Sequence, residues 1–471
     1  MKKTLILAYD FPPYVSVGGL RPASWAKYMH EFGIFPIVVT RQWDNKYGNA
    51  LDYIAPSESK EIIIENTDTV TIIRTPYKPN LANKILLKYG NKKYKLIRKF
   101  VTAFYETFQW IFNIGTKSQI YFAAKNYLKN NNVDCIIATG DPFILFRYAS
   151  KLSKKFNIPW IADYRDPWSQ TYNHSNKIFL KWNEINEKIF LKNVSLITTV
   201  SAFFKFQIER LVKNKNFQII TNGYDDNIPI LAENIKQNSK VLNIGFAGTI
   251  YKWHPVEVFL KTINKFITEN NFQDVSNSPS LRGLCGVNPH FQREVKLNFY
   301  GINIPNELQN LIAEKFPNLK KHINIFPKLK NEKYIQEAAK NNVFLLFNDS
   351  EYIGTKIYDY MAMKRKIILC FSNDEESKIL KQNYYPYKNQ KEFPYSDRLQ
   401  IDLIEETNSG IIVENSEKLY NTLESLNKEL KENGFITCDS VNTENYSRRI
   451  QVQKLAEIIT KINLIKNGTK L

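Results

Sequence analysis

The chain has 471 residues, a length that predicts two or three domains, each large enough to bury its own core. Apolar residues make up 43% of the sequence and charged residues 24%, a composition that argues against both a disordered chain and a membrane-spanning one. The formal net charge of +19 indicates an anionic partner, for which a nucleic acid, a phosphorylated substrate and an anionic membrane surface are the candidates.

The first half of the chain alternates short apolar runs with helical patterns. Such runs are typical of strands that are buried on both faces of a parallel sheet. The predicted strands are 5–8, 37–40, 70–74, 135–138, 160–162, 196–200 and 217–220. Two amphipathic stretches between them, 143–156 and 202–212, are long enough to be crossover helices. The pattern predicts a doubly wound α/β domain over residues 1–225.

The second half repeats this alternation after a polar segment, 226–240, which is predicted to link two domains. The predicted strands are 242–247, 295–300, 323–326, 343–347 and 366–370. A stretch rich in Asn, Ser, Pro and Gly, 271–292, is interpreted as a surface insertion. The pattern predicts a second doubly wound domain over 241–444, and an amphipathic helix is expected within 445–471.

The most specific motif begins at Glu351 and follows a predicted buried strand. Asp359 comes eight residues later, one turn into the next predicted helix, so the two carboxylates can hold neighbouring parts of one polyol. Between them, Gly354 lets the backbone approach a ligand closely, and a helix that begins near Thr355 presents free N–H groups to a phosphate. These residues predict a sugar-nucleotide site at the carboxyl ends of parallel strands.

The segment resembles the E-x7-E motif of retaining GT-B glycosyltransferases, in particular family 4, with Asp359 in place of the second glutamate. The resemblance covers nearly the whole chain. It implies the GT-B fold, in which two Rossmann-like doubly wound domains face each other across a cleft. The first domain would bind the acceptor and the second the nucleotide sugar, and a C-terminal helix, 445–471, would cross back to the first domain.

The resemblance also implies roles for the two carboxylates of this motif. Glu351 would contact the donor sugar, and Asp359 would contact the ribose hydroxyls. Aspartate is one methylene shorter than the glutamate of the family, so the ribose contact depends on a shorter reach. The alternative is that both are solvated surface charges, as a Glu and an Asp in an arbitrary loop usually are.

Two segments of the first domain resemble further parts of family 4 members. Gly18 and Gly19 match a glycine-rich loop whose backbone lies close to the donor phosphates and the acceptor, although a Gly-Gly pair is also typical of a plain turn. Arg165 and Asp166 match a D-x-R-D-P-W element that faces the interdomain cleft, and a structural ion pair is the alternative. Asp141 stands where the family usually has small residues or proline, and we assign it to the donor-binding group.

The second domain begins with a strand that leads into a turn at Gly248. In the family, basic side chains shortly after this glycine bind the donor pyrophosphate. The resemblance therefore implies this role for Lys252. A second basic residue is absent at the expected place, and Lys356 is the candidate to replace it. The alternative for Lys252 is a solvated surface lysine.

No metal ion or cofactor is predicted, and the nucleotide sugar is treated as a substrate. The five histidines are far apart in the sequence, and the acidic pair at 225–226 lies in a turn-like segment. Neither a P-loop nor a nucleophile elbow occurs. The four cysteines show no close pairing, which indicates a reducing compartment and no zinc site.

A basic segment, 84–112, accounts for much of the positive charge. It contains no acidic residue before Glu106, and its basic residues include Lys84, Lys88, Lys92, Lys93, Lys95, Arg98 and Lys99. Phenylalanines follow at four-residue spacing, at positions 100, 104, 108 and 112. A helix with a basic side and an aromatic stripe can lie on an anionic membrane. A stripe that packs into the protein core is the equally plausible alternative.

The resemblance implies transfer of a sugar from a nucleoside diphosphate donor to a glycan or lipid-linked acceptor, with retention at the anomeric carbon, in cell-surface polysaccharide biosynthesis. Two other interpretations stay open: a GT-B-fold nucleotide-sugar epimerase, and a nonenzymatic basic protein that binds a membrane. No recognisable nucleic-acid-binding module occurs, so nucleic acid is not a predicted partner. The expected location is the cytoplasm, with peripheral contact to the inner face of the membrane as a further expectation.

Overall fold

The computed structural model describes residues 1–14, 16–43, 51–170, 177–270, 294–349, 353–384 and 398–462. The chain divides into two compact units. The first unit comprises Met1–Asn222 together with Arg448–Leu471, and the second unit comprises Gly223–Ser447. Each unit is built on one largely parallel β-sheet whose strands alternate with helices. The doubly wound α/β class that the sequence predicts is therefore confirmed in both units.

The first unit contains eight strands and, before residue 222, seven α-helices among its described residues. The strands are β1 (Lys2–Leu7), β2 (Ile34–Arg41), β3 (Ile63–Asn66), β4 (Thr71–Thr75), β5 (Cys135–Gly140), β6 (Trp160–Tyr164), β7 (Leu196–Thr199) and β8 (Phe217–Ile219). The helices are α1 (Val17–Tyr28), α2 (Leu81–Tyr89), α3 (Lys95–Phe108), α4 (Ser118–Asn130), α5 (Ile144–Phe156), α6 (Lys177–Leu191) and α7 (Ala202–Leu211). The sheet order is β3-β4-β2-β1-β5-β6-β7-β8, and only the β3–β4 pair is antiparallel.

The described residues of the second unit form six strands in the order β11-β10-β9-β12-β13-β14, all parallel. These are β9 (Leu242–Ala247), β10 (Val295–Tyr300), β11 (Ile323–Phe326), β12 (Val343–Phe347), β13 (Lys366–Cys370) and β14 (Gly410–Val413). Its described helices are α8 (Asn227–Ala232), α9 (Val256–Asn270), α10 (Pro305–Lys315), α11 (Asn331–Ala338), α12 (Thr355–Ala362), α13 (Glu375–Tyr384), α14 (Leu399–Thr407) and α15 (Ser416–Asn433).

The last helix, α16 (Arg448–Thr460), belongs to the first unit although it follows the second in the chain. It packs against α1. Val452, Leu455 and Ile459 of α16 lie in the same buried cluster as Ile6 of β1 and Trp25 of α1. The predicted return of the C-terminal helix to the first domain is therefore confirmed.

The second sheet is buried on both faces, as β12 illustrates. Val343, Leu345 and Phe347 belong to one hydrophobic cluster, and Phe344 and Leu346 belong to another. Successive side chains of a strand point to opposite faces, so the two clusters lie on opposite sides of the sheet. A strand covered on both faces needs apolar residues at every position, which accounts for the uninterrupted apolar run in the sequence.

A buried ion pair between Arg21 and Asp163 joins α1 to the sheet of the first unit. Arg21 donates from Nε and Nη2 to the Asp163 carboxylate at 2.8–3.1 Å. Its Nη1 donates to two backbone carbonyls just after β8, at 2.9 and 3.0 Å. The hydroxyls of Thr139 and Thr198 donate to the same carboxylate at 3.0 and 2.7 Å. Both charges are thus supplied with hydrogen bonds, which a buried ion pair requires in order to be tolerated.

Two strands, β3 and β14, are not predicted by the apolar pattern. All four residues of β3 are exposed, because β3 is an antiparallel strand at the edge of the sheet. β14 is also an edge strand and begins at Gly410. A Cβ at this glycine would overlap the Ile367 carbonyl oxygen of β13, so the close pairing requires glycine. Edge strands are covered by fewer neighbours and carry a weaker apolar signal.

The segment expected to link the domains, 226–240, contains the helix α8. Ile228 and Ala232 of α8 are buried in a cluster of the second unit. The expected surface insertion, 271–292, lies outside the described residues. Within the described part of the chain, no helix is both long enough and apolar enough to cross a membrane.

The phenylalanine stripe of the basic segment is exposed, so the interpretation that it packs into the core is wrong. α3 has no buried residue, and Phe100, Phe104 and Phe108 are all exposed. Helical periodicity indicates which residues share a face, but it does not indicate what that face contacts.

Asp163→Asn is expected to lower the free energy of unfolding by about 3–5 kcal/mol, because it leaves the buried Arg21 without its opposite charge. Denaturant unfolding followed by circular dichroism measures the change. Glu31→Gln is the matched control, since Arg449 and Glu31 form a 2.6 Å ion pair in the same unit that is partly exposed to solvent. Its effect should stay below about 1 kcal/mol. Equal losses in the two variants would contradict a special role for the buried pair.

Candidate functional site

In the second unit, the turn after β9 brings Gly248 close to Lys356. Gly248 has a φ of +113°, a backbone conformation that side-chain-bearing residues rarely adopt. Its N–H donates to the Tyr300 carbonyl at 3.3 Å, which joins the ends of β9 and β10. A Cβ at Gly248 would lie 3.8 Å from Cγ of Lys356. Two residues that are 108 positions apart are therefore neighbours at the carboxyl edge of the sheet, as the sequence-based site requires.

The helix α12 starts at this edge. Gly354 is its N-cap residue, and among the described residues no side chain caps the helix start. A Cβ at Gly354 would have no atom within 4 Å, so this side of the residue is open. The N–H groups from Thr355 onward can accordingly bind an anion such as a phosphate.

Tyr360 fixes the position of α12 relative to the sheet. Its buried hydroxyl accepts a hydrogen bond from the Ala247 N–H at 2.8 Å, at the end of β9. Its ring stacks on Phe344 of β12, with the ring centroids 3.9 Å apart and the planes nearly parallel. The start of α12 is thereby fixed relative to the Gly248 turn.

Lys356 and Asp359 form an ion pair on the first turns of α12. Lys356 Nζ lies 2.9 Å from Asp359 Oδ2, and it also lies 4.2 Å from the centroid of the Tyr334 ring. Asp359 is buried, whereas Lys356 is roughly a third exposed. Burial raises the pKa of Tyr334 well above its ordinary value, and the Asp359 charge raises it further, so the phenol stays neutral. The pair combines a cation that reaches solvent with a carboxylate shielded from it.

The turn after β9 also carries Lys252, which is exposed. The next residue, Trp253, donates from Nε1 to Asp349 Oδ2 at 2.8 Å and so ties this turn to the end of β12. Burial, with Lys381 adding to it, lowers the pKa of His254 to about 3. His254 is therefore neutral at physiological pH and contributes no positive charge for a phosphate.

In the first unit, Gly18 and Gly19 lie beside Asp10, which follows β1. Ser16 connects them: its hydroxyl donates to Asp10 Oδ2 at 2.8 Å and accepts from the Gly19 N–H at 3.0 Å. Ser16 is the N-cap of α1, so one N–H of this helix start is already satisfied. A Cβ at Gly18 would overlap Nη1 of Arg165, so any larger residue at this position would displace the guanidinium.

Arg165 links the loop after β6 to the end of β5. Its Nε donates to the Gly140 carbonyl at 2.8 Å, and its Nη2 donates to the Asp141 carbonyl. Asp141 and Asp166 are exposed. Burial raises the pKa of Asp10 above its ordinary value, and the Ser16 hydrogen bond and the Arg165 charge offset part of that effect. Gly18, Asp141 and Arg165 thus come together in one polar cluster of the first unit.

The sequence-predicted residues fall into two groups, one in each unit. The group in the first unit consists of Gly18, Gly19, Asp141, Arg165 and Asp166, and the group in the second consists of Gly248, Lys252, Gly354, Thr355, Lys356 and Asp359. Glu351 lies outside the described residues. Among the residues that the structure describes, no group of three or more His, Cys, Asp or Glu side chains is placed to hold a metal ion.

Several participants are missing from the sequence-based prediction. Asp10 and Ser16 shape the glycine loop of the first unit, and Tyr334 and Tyr360 support the Lys356–Asp359 pair of the second. A carboxylate directly after the first strand is a signal that favours Asp10, since strand ends are where such sheets bind ligands. No sequence signal distinguishes the two tyrosines from the other 25 in the chain.

No family model and no curated protein matches the chain. Solved structures do match. Sucrose-phosphate synthase from Thermosynechococcus elongatus has a TM-score of 0.53 at 12% identity, covering 99% of this chain and 98% of that chain. An E. coli structure described as trehalose-6-phosphate bound with UDP-2-fluoro glucose has a TM-score of 0.52 at 9% identity, covering 99% and 97%. The UDP-forming α,α-trehalose-phosphate synthase from Burkholderia vietnamiensis has a TM-score of 0.50 at 9% identity, covering 98% and 97%.

The chain has the GT-B fold. The likeness to these structures extends over almost the whole chain and includes both sheets, in agreement with the fold class that the sequence predicts. At identities near 10%, this likeness concerns the fold, and the activity has to be argued from the site residues.

Gly18→Ala is expected to destabilise the first unit by roughly 1–3 kcal/mol, because its Cβ occupies the space of the Arg165 guanidinium. The cost should fall by about 1 kcal/mol in an Arg165→Ala background, as a double-mutant cycle of denaturation free energies would measure. Gly354→Ala is the matched control at the start of the other helix, where the φ of −63° and open space tolerate alanine within about 1 kcal/mol. Additive effects of Gly18→Ala and Arg165→Ala would contradict the proposed contact.

Proposed function

We propose that the chain is a glycosyltransferase that moves a sugar from a nucleoside diphosphate donor to a glycan or lipid-linked acceptor. The observation that carries this proposal is the Lys356–Asp359 pair on the uncapped first turn of α12, beside the Gly248 turn. A cation and free N–H groups suit a pyrophosphate, and a neighbouring carboxylate suits vicinal hydroxyls. A sugar nucleotide presents both of these chemical groups.

In this proposal, each residue of the second unit has a defined task. The N–H groups at the start of α12 and the ammonium of Lys356 stabilise the charge that grows on the leaving phosphate, and Lys252 adds a second cation. Asp359 accepts hydrogen bonds from the ribose, and Glu351 orients the donor sugar, a role that rests on the motif resemblance. No side chain is assigned as nucleophile: the leaving phosphate assists the incoming hydroxyl on the same face, so the anomeric configuration is retained.

The helix starts of the two units support different tasks. The start of α1 already has its N-cap, Ser16, whose hydroxyl accepts the Gly19 N–H, whereas the start of α12 has no such cap among the described residues. The pyrophosphate is accordingly assigned mainly to α12. Arg165 and Asp166 of the first unit are assigned to the reacting groups, and Gly18, Gly19 and Asp141 to the donor side, with the reaction itself in cytoplasmic assembly of cell-surface polysaccharide.

Binding of a nucleoside diphosphate is the first test of this function. UDP is the first probe because neighbours of the same fold are described as UDP-forming or as bound with UDP-2-fluoro glucose. GDP and ADP are the comparison ligands. At a hundredfold excess over Kd, a ligand that binds only the folded state adds about 2.7 kcal/mol of stability and raises the Tm. Failure of all three nucleotides to raise the Tm would overturn the proposal.

Asp359→Asn is expected to weaken UDP binding about ten- to a hundredfold, because a charge-assisted hydrogen bond is worth roughly 1.5–3 kcal/mol. Isothermal titration calorimetry measures the change. Glu184→Gln is the matched control, since Lys181 and Glu184 form a 3.0 Å ion pair at the same helical spacing on the surface of the first unit. The control should bind UDP like the wild type. An unchanged affinity of Asp359→Asn for UDP would contradict the proposed contact between Asp359 and the ribose.

Glu351→Gln separates sugar binding from nucleotide binding. Its proposed partner is the donor sugar, so the affinity for UDP should be that of the wild type while the rate of sugar transfer from the full donor falls at least tenfold. Calorimetry with UDP and a turnover assay with donor and acceptor make the comparison. If Glu351→Gln transfers sugar at the wild-type rate, Glu351 is a solvated surface charge.

A further inference from the structure

The hairpin formed by α2 and α3, residues 81–108, leaves a stripe of large apolar side chains in solvent. Phe100 is 78% exposed, Leu96 71% and Phe104 51%, and α3 has no buried residue along its 14 positions. Ile97 and Phe108 continue the same stripe. Contiguous exposed apolar surface of this kind marks an interaction site, since an apolar patch gains free energy when it leaves water.

The same helix carries positive charge on its other sides. At 100° per residue, Leu96, Phe100 and Phe104 share one face of α3. Lys99 projects from the flank of that face, and Lys95 projects from the back of the helix. The tip of the hairpin adds further lysines at 92 and 93, and no acidic residue lies between Thr69 and Tyr105. Glu106, near the end of α3, is the one acidic residue of the hairpin. An apolar face flanked mainly by basic residues is complementary to a surface that is both apolar and anionic.

The base of the hairpin is rigidly attached to the first unit. Arg147 of α5 is buried and donates to the carbonyls of Trp110 and Ile111 and to Oδ1 of Asn113, at 2.6–2.8 Å. The Trp110 ring also stacks on that of Trp168, with the centroids 4.9 Å apart. These contacts fix the segment that follows α3, so the stripe is presented in a defined direction.

We infer that α3 docks on an anionic phospholipid bilayer. Leu96, Phe100 and Phe104 enter the boundary between headgroups and acyl chains, while the lysines of the hairpin contact the lipid phosphates from above. Charge alone would also suit a nucleic acid, but a nucleic acid backbone would leave the apolar stripe in water. The docking requires no donor site and is independent of the proposed glycosyl transfer.

The charge component is tested by flotation with vesicles of phosphatidylglycerol and phosphatidylcholine, and with vesicles of phosphatidylcholine alone. The wild type should bind the anionic vesicles, and less strongly as salt is raised. Lys92→Glu with Lys93→Glu should weaken this binding roughly 25-fold or more, at about fivefold per lost basic residue. Lys320→Glu with Lys321→Glu makes the same change of net charge on the exposed surface of the second unit and should leave binding unchanged.

The apolar component is tested with Phe100→Ser and Phe104→Ser together, which should weaken vesicle binding at least roughly tenfold at unchanged net charge. Phe435→Ser with Val441→Ser is the control, since these residues are 50% and 51% exposed in the second unit. All variants should keep the wild-type Tm, because none of the replaced side chains is buried.

Three outcomes would overturn the inference. The wild type could fail to bind anionic vesicles at low salt, or the Phe100→Ser, Phe104→Ser variant could bind them as well as the wild type does. Alternatively, sedimentation could show that the wild type is a dimer and this variant a monomer, while the wild type does not bind vesicles. In that case a second copy of the chain covers the stripe. Loss of binding in the two hairpin variants and not in the two controls would support membrane docking.

Discussion

The position of the glycine loop in the first unit depends on the buried pair of Arg21 and Asp163. Arg21 lies on α1, two residues after Gly19, and Asp163 lies near the end of β6. A buried guanidinium is stable only when all of its hydrogen-bond partners are in place. The helix α1 can therefore pack against the sheet in only one position and rotation. The loop before α1 then passes beside Asp10 and Arg165, where a side chain at position 18 would displace the Arg165 guanidinium.

The second unit positions its helix with uncharged contacts. The anchor is Tyr360, a neutral hydroxyl on an aromatic ring, rather than a buried ion pair. Lys356 of the charged pair in this unit is roughly a third exposed to solvent, whereas its partner Asp359 is buried. In the first unit both buried charges fix the packing of a helix. In the second unit only the carboxylate of the pair is buried.

Much of the fold follows from the sequence alone. The predicted bounds of β9 to β13 agree with the structure because each strand consists mostly of apolar residues, and each is followed by a helix or a polar loop. β3 escapes prediction because its residues are exposed at the sheet edge. The partner of the aromatic stripe on α3 could not be predicted either, because periodicity specifies a face of a helix and leaves open what covers it.

The grouping of the candidate residues was predictable where they are close in sequence, as in the first turns of α12. Contacts across long stretches of chain were not, because a single sequence contains no signal for pairing. Arg21 and Asp163 are 142 residues apart, and Gly18 and Arg165 are slightly further apart in the sequence. The roles of Lys252 and Glu351 are still predictions from the family resemblance, because no described contact fixes the position of either side chain.

The assignment of α16 to the first unit has a consequence for how the chain is made. Residues Gly223–Ser447 form a unit of their own, and all of them leave the ribosome before α16 does. Until then the first unit lacks Val452, Leu455 and Ile459, so part of its core around Ile6 and Trp25 is open to water. The core of the second unit therefore needs no residue that is made after Ser447, whereas the core of the first unit, although that unit is synthesised earlier, is complete only once α16 is available.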